Sequence, residues 1–68
     1  MSKRKKVVTK GGSLYRVTVS GRTHSVAKVK VGFLGDSYKE IGKADSLEDA
    51  LSIIKSHSGR EIDRISNW

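Results

Sequence analysis

Ten residues, His24 to Phe33, alternate so regularly that they leave little choice of conformation. Ala27, Val29, Val31 and Phe33 fall on one side of the run, and His24, Val26, Lys28 and Lys30 on the other. A period of two is the signature of a β-strand with differing faces. A lone strand or hairpin is marginal in water, so this run needs partners. The preceding residues supply one, because Leu14 to Val19 also alternates, with Tyr15, Val17 and Val19 against Leu14, Arg16 and Thr18. Ser20-Gly21-Arg22 between the two runs is a turn signal, with Gly21 free to take positive φ.

A third run spans about Tyr38 to Ala44, after a reversal expected at Leu34-Gly35-Asp36-Ser37. Its two ends are out of phase. With Ile41 inward, Lys39 and Lys43 share its face; with Tyr38 inward, Glu40 follows. A bulge or kink at Gly42 reconciles them, since a bulge resets which face follows.

The next stretch is helical. Leu47, Ala50, Leu51 and Ile54 stand at i, i+3, i+4 and i+7, one apolar stripe that Ile53 widens. Ser46 is placed to cap the N-terminus with Asp49 three residues on, and Asp45, Glu48 and Asp49 suit the positive end of the helix dipole. Gly59 stands where a left-handed C-terminal cap belongs. Beyond it, Ile62, Ile65 and Trp68 are spaced by three, compatible with a short fourth strand, a helical turn or an irregular tail. The expected fold is therefore α+β: a three-stranded antiparallel β-meander packed against one C-terminal α-helix.

Size limits what such a fold can do. A domain of about 60 residues buries only about 60% of the surface its unfolded chain exposes. With 68 residues and no cysteine, disulfides and thiolate zinc sites are excluded. Extra stability would come from dimerisation or from a bound polyanion. No window approaches the ~18 apolar residues of a membrane span, and the basic start lacks the apolar stretch of a secretory signal. A soluble cytoplasmic protein without a membrane partner is expected.

The charge is unevenly spread. Of the net +7, residues 1–12 hold five cations (Lys3, Arg4, Lys5, Lys6, Lys10) and no acid. Residues 13–44 set six basic residues against two acidic ones, and residues 45–68 set three against five. Residues 1–13, basic and ending in Gly11-Gly12-Ser13, read as a flexible arm, with residues 14–68 as the single domain. One-sided positive potential attracts a polyanion.

Catalytic patterns are missing. His24 and His57 are the only histidines and form no i, i+4 ligand pair, and no nucleophile elbow surrounds any serine. Six residues separate Gly35 from Gly42-Lys43 rather than the four of a phosphate loop, and Ala44 stands where that loop needs Ser or Thr. The carboxylates Asp45, Glu48 and Asp49 are explained by helix capping. No enzyme activity, cofactor or metal is expected.

The expected function is nucleic-acid binding, to DNA first and RNA second, by a basic sheet face and a basic arm. With the helix covering Tyr15, Val17, Val19, Val29, Val31 and Phe33, the opposite face would present Arg16, Thr18, His24, Lys28 and Lys30. Arg22 sits on the first turn, and Lys3, Arg4, Lys5 and Lys6 in the arm add phosphate contacts. The element order resembles the arm-binding domains of phage-type tyrosine recombinases and the plant ethylene-response factor domain, which implies sheet entry into a major groove; no residue motif carries this likeness. Neutralising about six phosphates would give log K against log salt a slope near −5 on a duplex. RNA recognition by stacking has a small supply of aromatics, Tyr15, Phe33, Tyr38 and Trp68. The alternative is a protein-interaction module or homodimer, associating through a sheet edge or through Ile62, Ile65 and Trp68.

Overall fold

The computed structural model describes residues 3–32 and 34–68. Phe33, expected in the core, lies outside the described residues. The elements run β1 (Lys3–Thr9), β2 (Leu14–Ser20), β3 (Thr23–Gly32), β4 (Gly35–Ala44), α1 (Leu47–Ser58) and β5 (Ile62–Asn67). One antiparallel sheet holds all five strands in the order β4-β3-β2-β1-β5, with the helix leading from one edge to the other.

The α+β class holds, but the sheet has five strands rather than three, and the helix precedes the last of them. The largest correction concerns the expected arm. Lys3–Thr9 form β1, an interior strand bonded to β2 on one side and β5 on the other. Val7 and Thr9 explain why: they are 0% and 1% exposed, anchoring the strand under the helix. The cations before them alternate sides, so their charged ends escape the core. Gly12, at φ 86, and the Gly12 N–H bond to the Thr9 carbonyl (2.9 Å) close the β1–β2 turn. The Gly11-Gly12-Ser13 stretch is thus a hairpin connection within the domain.

The β2–β3 turn lies where the sequence places it, with Gly21 at φ 60 and Ser20 paired to Thr23. Strand β4 starts at Gly35, earlier than expected, and Gly32 faces Gly35 where the β3–β4 hairpin closes. The phase conflict in β4 is resolved by an irregularity in pairing: Val26 pairs with Gly42 and Ala27 with Glu40, leaving Ile41 as the extra residue. A Cβ on Gly42 would lie 3.3 Å from the Ile53 side chain, so the helix packs close to the bulge.

Helix α1 follows its expected signals. The Ser46 hydroxyl accepts from the Asp49 N–H at 3.2 Å. Gly59 closes the other end at φ 69, its N–H donating to the Lys55 carbonyl at 2.8 Å. Ala50 and Ile54 meet Val7, Tyr15, Val17 and Val26 in the core, flanked by Val19, Ile41, Leu47, Leu51, Ile53 and Ile62. Tyr15 is fully buried, and its hydroxyl is 2.9 Å from His57 Nδ1 at the helix end. No helix among the described residues is long and apolar enough to cross a membrane.

Candidate nucleic-acid interface

Register decides which cations share a surface. Directly paired residues in an antiparallel ladder point to the same side of the sheet. Tyr15 pairs with Lys28 and Val17 with Val26, whereas Arg16 pairs with Ala27 and Leu14 with Val29. Lys28 and Lys30 therefore project on the helix side, and Arg16 and Thr18 on the open side. The basic face expected from sequence is split between the two sides. The cause is β3, which is apolar on both sides: Val26 is buried under the helix, and Val29, 5% exposed, is buried on the open side. Placing Val29 under the helix shifts the assumed register by one residue, which exchanges the faces of the whole strand.

The β1 run is split in the same way. Lys3 and Lys5 pair with Val19 and Val17 on the helix side, and Arg4 and Lys6 pair with Thr18 and Arg16 on the open side. Arg22 stays exposed on the β2–β3 turn. Of the eight residues singled out from the sequence, the structure brings together Arg4, Lys6 and Arg16 on the open face. Lys28 and Lys30 join Lys39, the direct partner of Lys28, beside a depression also lined by Ser37 and Tyr38.

Three rows of side chains cross the open face. The first runs Tyr38, Val29, Leu14, Val8, Arg64 from β4 to β5. The second runs Glu40, Ala27, Arg16, Lys6, Ser66. The third runs Lys43, Ser25, Thr18, Arg4, with Trp68 beyond, its N–H donating to the Arg4 carbonyl at 3.2 Å. Arg4, Lys6, Arg16 and Arg64 thus occupy three neighbouring strands. Among the described residues the one ion pair is Arg64 with Asp63, at 3.8 Å and well exposed.

Arg16 stands at the centre, half-buried. Its guanidinium carbon lies 3.9 Å from the centre of the Tyr38 ring and 5.6 Å from that of Trp68. The two rings meet edge to face, with centroids 6.2 Å apart at 65°. They are rooted at opposite edges of the sheet, about 19 Å apart if four strand spacings lay flat. The sheet must therefore twist and curl over this face for them to converge. Arg16 Nε is buried with no hydrogen-bond partner, so aromatic faces rather than a carboxylate hold the cation. Tyr38 and Trp68 each keep 43% of their surface exposed.

Sequence reasoning missed Tyr38, Trp68 and Arg64 as members of one site. A signal existed: Asp36, Tyr38 and Glu40 alternate on β4, as do Arg64, Ser66 and Trp68 at the other end. What no local pattern supplies is that two segments on opposite edges meet.

The remaining polar chemistry is dispersed. His24 Nδ1 lies 3.3 Å from the Arg22 carbonyl, while His57 is engaged with Tyr15. Burial raises the Tyr15 phenol above its ordinary value, with the Ser58 hydroxyl pulling the other way. Among the described residues no group of three His, Cys, Asp or Glu side chains could hold a metal ion.

Compared with known protein families, with curated proteins and with solved structures, the chain finds no match.

Proposed function

We propose that this protein binds nucleic acid through the open face of its sheet. The observation that carries the reading is the grouping of Arg4, Lys6, Arg16 and Arg64 on β1, β2 and β5. Lys6 and Arg16 are direct cross-strand partners. Like charges placed opposite one another destabilise a sheet by a few tenths of a kcal/mol to about 1 kcal/mol. A polyanion laid across this face relieves that repulsion and gains counterion release.

The exposed strand β4 favours a second reading, in which a partner strand adds to the sheet edge. Its bulge at Ile41 and Gly42 and its lysines Lys39 and Lys43 are features that discourage such pairing, so the polyanion reading ranks first.

The test is the affinity for a labelled mixed-sequence oligonucleotide over a range of salt, with the double variant Lys6→Glu, Arg64→Glu for comparison. Lys6→Glu faces Arg16 with an opposite charge, which favours the fold. Four neutralised phosphates give a slope of log K against log salt between about −3 and −4. The variant should bind much more weakly and with a shallower slope. Equal affinity for the two proteins would remove the open face from consideration.

A further inference from the structure

We infer that the nucleic acid taken by this face is single-stranded, with bases stacked at the Tyr38–Arg16–Trp68 cluster and phosphates held by the surrounding cations. The inference rests on the nucleic-acid reading above and names its ligand.

Width is the first argument. Five strands span about 19 Å measured along the sheet, and the sheet curls over this face, so the face is a broad concave surface rather than a narrow ribbon. A B-form major groove is about 12 Å wide and admits a two-stranded ribbon or one helix. A three-stranded sheet of the sort expected from sequence approaches that limit, but this sheet exceeds it. Against a duplex the open face would reach only the phosphate ridges.

The aromatic rings are the second. Bases in a duplex are stacked on each other and offer a side chain no ring face. A single strand exposes its bases, and proteins that bind it combine aromatic platforms with a positively charged track. Here two rings, each 43% exposed, converge on the centre of an antiparallel sheet. Arg16 lies against them with a buried Nε that no protein acceptor satisfies. A guanidinium lying over the Tyr38 ring and beside Trp68 extends the platform, because its plane stacks on bases as the rings do.

The charges are the third. Arg4, Lys6 and Arg64 lie on the β1–β5 side of the cluster. On the other side Tyr38 borders the depression lined by Lys28, Lys30, Ser37 and Lys39. The backbone of a single strand crossing the face thus meets cations before the cluster, passes the carboxylates Asp36 and Glu40 that flank Tyr38 on β4, and meets cations again as it rounds the β4 edge. A flexible strand can follow that bend; a duplex of this length cannot.

Trp68 is the sole tryptophan, so its emission reports on the site directly. The whole chain would be titrated with a short oligothymidylate, a mixed-sequence duplex and inorganic polyphosphate at physiological salt. Expected is strong quenching of Trp68 by the oligothymidylate, little by the other two, and at least about tenfold tighter binding of the single strand. Tyr38→Leu, with its fold checked by circular dichroism, should weaken single-strand binding about tenfold and leave duplex binding unchanged. Duplex binding as tight as single-strand binding, without quenching, would overturn the inference while leaving the nucleic-acid reading intact. Polyphosphate binding as tight as either would overturn it too, since charge alone would then suffice. Failure of all three to bind would overturn both.

Discussion

Replacing Arg16 by methionine should make the protein more stable and a poorer binder. Methionine keeps the apolar stem as far as the Nε position and removes the charged guanidinium beyond it. What is lost is the cation–π contact with Tyr38 and Trp68, about 1 kcal/mol at a half-buried position. A thioether against the same rings recovers about 0.5 kcal/mol of that. What is gained is larger. The Arg16 Nε donor is buried without an acceptor, a cost of about 1 kcal/mol or more that methionine does not carry. The repulsion from Lys6, its direct cross-strand partner, adds about 0.5 kcal/mol. The balance favours Arg16→Met by about 1 kcal/mol, or a Tm rise of about 4–8 °C for a domain of this size. Urea and thermal unfolding followed by far-ultraviolet circular dichroism measure it without relying on Trp68, which sits beside the substitution. A loss of about 1 kcal/mol or more would refute the reasoning, because the guanidinium would then be holding the face together rather than being held there for a ligand.

Two further outcomes follow from other parts of the molecule. The Tyr15 phenol is raised above its ordinary value of 10.0 by burial, so the fold favours the protonated form. This contribution is fully present below the unfolded-state value and is lost as pH rises through the folded one. Unfolding midpoints should therefore fall in the alkaline range; Tyr15→Phe should lessen that fall and cost about 1 kcal/mol at neutral pH through the lost bond to His57. The double variant Lys28→Glu, Lys30→Glu should weaken binding of a single strand and make its salt slope shallower while leaving the depth of Trp68 quenching at saturation unchanged, because those lysines lie on the helix side of the sheet. Abolished quenching would place them at the stacking cluster instead.

The parts of the fold that were legible in the sequence are those set by neighbours in the chain. Ser46, Asp49 and Gly59 fix the ends of α1 through contacts within four residues. The bulge near Gly42 was visible because β4 has two apolar phases that no regular strand satisfies. Strand β1 was not legible, since four consecutive cations outweigh Val7 and Thr9 in any local reading. Only pairing with β2 and with the distant β5 shows that the run is interior. The division of the basic face was recoverable in principle. A two-residue turn at Gly21-Arg22 pairs Ser20 with Thr23, and counting outward puts Val17 on Val26 and Tyr15 on Lys28. Without that count the apolar content of β3 points to the wrong side, because Val29 and Val31 outnumber Val26.

Strand order also orders events in time. The pairs β1–β2, β2–β3 and β3–β4 join segments adjacent in the chain, so each hairpin closes a short loop. Strand β5 instead returns to β1, pairing Ile65 with Val7 across nearly the whole chain, and such contacts close slowly. Arg64 and Trp68 reach the open face only with that closure. A molecule whose first four strands are paired but whose C-terminal strand is undocked has Arg16 and Tyr38 and no completed cluster. Occupancy of the cluster would hold β5 in place by mass action. Amide exchange in β5 should then slow most when ligand is added, even though β5 is the far edge of the sheet from Tyr38.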